Sequence, residues 1–271
     1  CRVKEIEMSK GAGPAGPVDC RVSRQTVVVS YGAGTNSTAM VCEMVRRGEP
    51  IAAVVFADTG GERPETYSHV LEFSEWLTAH GYPAITTVRQ TTKVGDVAVT
   101  TLEAECIAGH RLPGIAYGFG SCSEKWKQRP FRAWLKQTGW QDVTVCIGFD
   151  ADEPHRAERG DQHDSGYAKR YPLIEWDMGR DECIAAIDAA GLKRPGKSAC
   201  FYCPSSKAHE ILALPVALQE RALAMEANAD LTAIKGLGRG FAWRDLIRAD
   251  AAQCKFDFEQ RMETPCGCFD G

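Results

Sequence analysis

No apolar run in the 271 residues approaches the length that spans a bilayer, and the first residues lack the positive, then apolar, then small-residue pattern of a secretory signal. A cytoplasmic protein without membrane contact is the expectation. Net charge is also scarce: 32 basic residues against 36 acidic ones leave −4, so there is no global signature of nucleic-acid binding. A local basic cluster such as Arg239 to Arg248 can still form a patch. Internal repeats and long low-complexity tracts are missing, as are the mononucleotide loop GxxxxGKS/T and the dinucleotide fingerprint GxGxxG. Those absences set aside solenoids and the two commonest nucleotide loops.

Cysteine, by contrast, is plentiful. Twelve in a chain of this length is high for a cytosolic protein, and the spacing is not that of a short secreted disulfide scaffold, which directs attention to metal or redox chemistry. Cys42, Cys146 and Cys183 fall in apolar helix or strand patterns and are expected simply to pack. With 44% hydrophobic and 25% charged residues the composition is that of a globular protein able to bury a substantial core.

Residues 1–24, with GAGPAGP and little periodicity, read as a flexible lead. From Thr26 the pattern alternates. Strands are expected at Val27 to Val29, Ala52 to Phe56, Ala84 to Val88 and Val143 to Phe149, with helices at Asn36 to Arg47, Glu65 to His80 and around Phe131 to Lys136. Such alternation predicts an α/β core, a parallel sheet with helices on both faces, over residues 25–178. Beyond it the chain turns to helices, loops and cysteines, predicting a C-terminal helical, cysteine-bearing subdomain over 179–271.

"VVVSYGAGTNSTAM" places glycines and hydroxyls where the first strand hands over to the first helix. In open α/β sheets the ligand crevice lies beyond the carboxyl ends of the strands, where backbone amides and a helix N-terminus hold an anion. Gly32 and Gly34 permit tight turns, Ser30, Thr35, Ser37 and Thr38 offer hydroxyls, and Asn36 can cap the helix. One unit later, "VVFADTGGERPETYSHV" sets Asp58, Thr59 and Gly60 at a second strand end, with Pro64 opening a helix.

Together these stretches resemble the pyrophosphate-binding loop of the adenine nucleotide alpha-hydrolase superfamily and the DTGxxxPET stretch of its phosphoadenosine phosphosulfate (PAPS) reductase family. The resemblance continues through "CSEKWKQRPFRAWL", "IGFDADEPHRAER" and "CFYCP", covering about residues 26 to 215. It implies a Rossmann-like nucleotide core binding an adenine nucleotide through Ser30, Gly32, Gly34, Thr35, Asn36, Ser37, Thr38, Asp58, Thr59 and Gly60. It further implies catalytic roles for Asp58, Arg129 and Arg156, the arginines acting on phosphate. Asp150, Asp152 and Glu153 are candidates for Mg2+. The loop departs from the SGGxDS of ATP-using members by carrying Asn36.

Cys200 and Cys203 form CxxC, whose thiolates can converge on one metal centre. The resemblance adds Cys122 as a third ligand of a 4Fe–4S cluster. Cluster-bearing reductases have adjacent cysteines at this point, whereas here Ser121 precedes Cys122, so the fourth ligand is Cys106, Cys266 or Cys268, or one iron is open. A zinc site and a redox dithiol are the alternatives for the CxxC pair. Two reactions fit the resemblance. In the first, ATP with Mg2+ adenylates a substrate, DNA or RNA among the candidates, and releases pyrophosphate; a sulfur donor such as a cysteine desulfurase then supplies sulfur, as in transfer-RNA thiolases and the ATP pyrophosphatases of DNA phosphorothioation. In the second, PAPS or adenylyl sulfate is reduced to sulfite with thioredoxin. That family's ECGLH tail is missing, and "ETPCGCFDG" stands at the end of this chain instead. A non-catalytic nucleotide sensor or nucleic-acid-binding subunit is the third reading. "GLGRG", Gly236 to Gly240, is a further anion nest, a nucleic-acid contact loop when joined to Arg244 and Arg248, or a plain turn before an amphipathic helix, Trp243 to Ala251.

Overall fold

The computed structural model describes residues 25–161 and 166–262; the expected N-terminal lead, Cys266 and Cys268 lie outside them. The chain begins with β1 (Thr26–Tyr31), α1 (Thr35–Arg46), β2 (Ala53–Asp58), α2 (Pro64–Ala79) and β3 (Ile85–Arg89). A hairpin, β4 (Thr92–Val94) and β5 (Val97–Val99), leads to α3 (Leu102–Ala108) and a 3-10 turn at Gly114–Tyr117. The short α4 (Ser121–Ser123) runs through a π-helical turn, Glu124–Gln128, into α5 (Arg129–Thr138). Then follow β6 (Val143–Ile147), α6 (Pro154–Asp161), β7 (Ala168–Arg170), α7 (Pro172–Glu175) and α8 (Arg180–Ala189). The described chain ends with α9 (Ala208–Leu212), α10 (Val216–Asn228) and α11 (Trp243–Met262).

β3-β2-β1-β6-β7 form one sheet, parallel throughout, so the α/β architecture is as the alternating pattern requires. β1 is central, and its residues alternate between two buried faces. Val29 and Tyr31 join α1, α2 and α8 in one apolar cluster, through Met40, Phe73, Leu77, Cys183 and Ile187. Val28 joins Val55, Val145 and Phe131 of α5 in another. Burial on both faces is why β1 and β2 read as continuous runs of Val and Ala rather than as alternating polar strands.

A third cluster binds α3, α9, α10 and the start of α11 around Trp126, Phe201, Tyr202 and Trp243. The apolar clusters do not divide at residue 178. α8 packs on the sheet core through Cys183 and Ile187, whereas Leu102, Cys106 and Trp126, all earlier in sequence, pack with the C-terminal helices. Cys42 and Cys146 are buried in the sheet core with Cys183, as packing thiols should be. Among the described residues no helix is long and apolar enough to cross a membrane.

The register brings the strand ends to one rim. Tyr31 pairs with Phe56, Ser30 with Ile147, and Asp58 with Arg89. After β1 the chain adds strands on one side, through β2 and β3, and later returns to the other side of β1 with β6. This reversal of strand order is where parallel sheets open a ligand crevice.

Candidate nucleotide cleft and cysteine site

An open cleft of about 1320 Å³ occupies that rim. Ser30, Gly32, Gly34, Thr35, Asn36 and Ser37 form one wall, so most of the expected loop residues come together there. Gly34 stands at the N-cap of α1 with no side-chain cap, which leaves the first-turn N–H groups of the helix available to an anion. Ser37 Oγ ties the loop internally, accepting from Gly32 N and Gly34 N at 3.3 Å each. Ala33 holds a left-handed φ of 55°, a conformation that costs a residue with a Cβ about 1 kcal/mol. The opposite wall approaches so closely that a Cβ on Gly148 would stand 2.8 Å from Ser37 Cα.

The cleft is cationic and aromatic. Lys127, Arg132, Arg156, Lys169, Arg180 and Lys197 line it against Glu124, Glu153 and Glu210, and Phe131, Phe149, Tyr167 and Tyr171 supply ring faces. Arg156 lies over the Phe149 ring, 4.3 Å from its centroid, and pairs with Glu153 at 2.6 Å. Arg129 is elsewhere: its side chain is 61% exposed, lies 4.0 Å from Glu124, and does not line the cleft. Arg132, one helical turn further on, takes the inward position, donating to Glu124 and Gln128.

Three expected loop-rim residues act from beneath. Thr38 is fully buried and joins Tyr31 Oη at 3.1 Å to His69 Nε2 at 3.2 Å. Asp58 is 1% exposed; it accepts from Gly60 N, Tyr67 Oη and Arg89 Nε at 2.8, 2.8 and 2.9 Å. Those bonds occupy its carboxylate in holding the turn after β2. Gly60 adopts φ 75° and packs on Thr101.

Asn36 is clamped on both ends: its Nδ2 donates to Asp150 Oδ2 at 2.8 Å, and its Oδ1 accepts from Arg180 at 3.1 Å. The other oxygen of Asp150 is buried without a hydrogen-bond partner. Asp152 accepts from the backbone N–H of Arg180, and Glu153 is taken by Arg156. Sequence reasoning did not single out Arg132, Arg180, Lys197 or Ser198. "RPGKSAC", a small glycine-containing stretch just before CxxC, was the available signal for the last two.

This stretch joins the cleft to the cysteines. The Ser198 hydroxyl donates to Gly32 O, so the segment ahead of Cys200 lies directly on the phosphate-type loop. Two residues on, Cys200 Sγ lies 3.0 Å from Thr59 Oγ1, and Phe201 N donates to Gly61 O at 2.8 Å. Cys203 N closes a turn onto Cys200 O at 3.0 Å. Cys122, Cys200 and Cys203 are half-buried. Cys106 and Cys122 border one cavity of about 280 Å³, together with Glu105, Arg111, Lys125 and Trp126. Lys127 reaches Glu62 at 3.1 Å; burial opposes its charge, but Glu62, Cys200 and Cys203 together hold the ammonium above its ordinary value.

Burial pushes the Cys200 thiol up to about 12 and raises Cys203 as well. Among the described residues no three His, Cys, Asp or Glu side chains converge tightly enough to hold a metal ion. A four-iron cluster asks for a wider set, because each thiolate binds a different iron; charged residues flank these cysteines, with Glu105, Arg111 and Lys125 beside Cys106 and Cys122, and Glu62 and Lys127 near Cys200.

"GLGRG" has its anion already. The Glu226 carboxylate, 1% exposed, accepts from Leu237 N, Trp243 N and Arg244 N at 2.6, 2.8 and 3.2 Å, and so folds the loop onto the start of α11.

No known family profile and no curated protein matches the chain. Among solved structures, the U34-tRNA thiolase NcsA from Methanococcus maripaludis, with its 4Fe–4S cluster, aligns at 14% identity and a TM-score of 0.45, over 91% of this chain and 76% of that one.

Proposed function

We propose that the chain is an adenine-nucleotide enzyme of the PAPS reductase type that cleaves ATP to AMP and pyrophosphate, activating an acceptor for sulfur transfer. The observation that carries this reading is the cleft at the switch in strand order, where an uncapped helix N-terminus faces a cationic and aromatic wall. The backbone N–H groups at the start of α1 bind the nucleotide's phosphates. Arg156, Arg180 and Lys197 neutralise them, and the aromatic wall takes the base. Asp150 Oδ1 is the carboxylate oxygen left for a Mg2+ that enters with ATP.

An acceptor oxygen, in DNA or RNA, attacks the α-phosphorus as the bond to pyrophosphate breaks, and charge developing on the leaving group is held by the same cations. A sulfur nucleophile from a donor such as a cysteine desulfurase then displaces AMP from the adenylated acceptor. Cys122, Cys200 and Cys203 would hold a 4Fe–4S cluster. When bound, such a cluster supplies one-electron chemistry and fixes the segments that carry its ligands. Because Cys200 contacts Thr59 and Ser198 contacts Gly32, those segments are the ones that shape the nucleotide loop.

The test is pyrophosphate release from α-labelled ATP by anaerobically purified protein, with PAPS and adenylyl sulfate plus thioredoxin assayed in parallel for sulfite. Labelled AMP with pyrophosphate is expected. Sulfite without pyrophosphate replaces this reading with sulfonucleotide reduction, and binding of nucleotide with neither product makes the chain a sensor. Metal analysis of the same sample separates iron with acid-labile sulfide from zinc.

A further inference from the structure

Cys106 lies outside the CxxC pair and 16 positions before Cys122, and the fold ties it to both. It sits on α3, whose N-cap Thr101 packs against Gly60 and whose first N–H, from Leu102, donates to Thr59 O at 3.0 Å. The side chain of the same Thr59 contacts Cys200 Sγ at 3.0 Å. On the other side of Cys106, Glu105 accepts from Lys125 Nζ at 2.5 Å and from Trp126 Nε1 at 2.7 Å, fastening α3 to the segment that begins at Cys122. One threonine therefore links α3 to the CxxC segment, and one buried glutamate links it to the Cys122 helix. Cys106 and Cys122 border the same cavity, and Cys106, Cys122 and Cys200 share one apolar cluster. Cys42, Cys146 and Cys183, equally buried, belong to the separate sheet core.

We propose that Cys106 is the fourth thiolate of the site formed by Cys122, Cys200 and Cys203, so that a bound 4Fe–4S cluster has no iron with an open position. This rests on the cluster reading given above. Each of the four thiols would release its proton to solvent as its thiolate bound one iron, which would leave no coordination position for sulfide or substrate sulfur. Sulfur for the acceptor then reaches the adenylate directly from its donor rather than through the cluster.

The full chain, purified anaerobically as wild type, Cys106→Ala, Cys42→Ala and the Cys266→Ser/Cys268→Ser double variant, is analysed for iron and acid-labile sulfide, and by electron paramagnetic resonance after mild oxidation. Wild type, Cys42→Ala and the double variant are expected to match. Cys106→Ala is expected to lose about one iron in four and to show a three-iron signal. A Cys106→Ala protein with wild-type iron and spectrum overturns the proposal, as does loss of iron from the double variant. A second measurement does not depend on how well Cys106→Ala folds: hydrosulfide titrated into wild type is expected to leave its Mössbauer spectrum unchanged. A new iron environment on titration means an open iron and overturns the assignment. Wild type that carries zinc, or no iron after reconstitution, overturns the cluster reading and the fourth ligand with it, and is recognised without any variant.

Discussion

Thr59 Oγ1 stands 3.0 Å from Cys200 Sγ, and through that contact the turn after β2 touches the segment bearing the CxxC pair. The two sequence motifs are 141 positions apart and meet at a threonine that is 2% exposed.

Thr59→Val removes the hydroxyl while keeping the branched shape. Gly61 N, which donates to that oxygen at 3.3 Å, then loses its partner, and the cost is about 1–2 kcal/mol. In a chain of this size the melting temperature should fall by roughly 2–8 °C. Thr59→Ser, which keeps the oxygen, should recover most of the loss. Equal melting of the two variants would mean that the hydroxyl contributes nothing.

Gly148→Ala addresses the cleft directly. The added Cβ would lie 2.8 Å from Ser37 Cα and 2.9 Å from Ser37 N, both backbone atoms, so the start of α1 must move. Overpacking of this kind costs about 1–3 kcal/mol. Because the displaced groups are the proposed phosphate donors, ATP affinity by calorimetry should weaken by more than about tenfold. Unchanged affinity would place the phosphates away from α1.

Much of this was legible in the sequence, for reasons that differ by element. β1 and β2 announce themselves because burial on both faces demands runs such as Val27 to Val29, and the loop after β1 does so because glycines and hydroxyls have little reason to cluster there otherwise. β7 did not: Ala168, Lys169 and Arg170 form a short edge strand with no apolar pattern. The β4–β5 hairpin is signalled only by Gly95, at φ 57°, followed by Asp96, between two strands too short to show alternation. Within the site, residue type alone could not say which arginine of "RPFR" turns inward. Helix phase decides that, and it favours Arg132 over Arg129. Nor could the sequence reveal that Asp58, flanked by an inviting TGG, would spend its acceptor capacity on Gly60, Tyr67 and Arg89.

The arginine contrast is open to kinetics. Arg156→Ala should raise KM for ATP by about tenfold, because it removes a cation that lines the cleft beside Phe149. Arg129→Ala, on the exposed side of α5, should leave both KM and kcat within about twofold. Steady-state pyrophosphate assays on the two variants check this, and the reverse order of effects would reinstate Arg129 as the phosphate ligand.

Beneath the loop, the buried path Tyr31–Thr38–His69 makes stability depend on pH. Burial lowers the His69 pKa from its ordinary value of 6.5, and Glu72 opposes the shift only in part. The neutral imidazole is therefore the form the fold accepts. As pH falls below about 6.5 the unfolded chain takes up the proton first, so acidification favours unfolding. The contribution from His69 is fully present above the unfolded value and is lost as pH falls toward and through the lower folded value. Its slope is bounded at about 1.4 kcal/mol per pH unit, the limit for one proton. His69→Gln keeps a polar atom near Thr38 Oγ1 but cannot titrate. Melting temperatures measured from about pH 7.5 down to 5.5 should fall more steeply for wild type than for the variant. Parallel curves would assign the acid sensitivity to other groups and leave the Thr38–His69 contact a purely structural one.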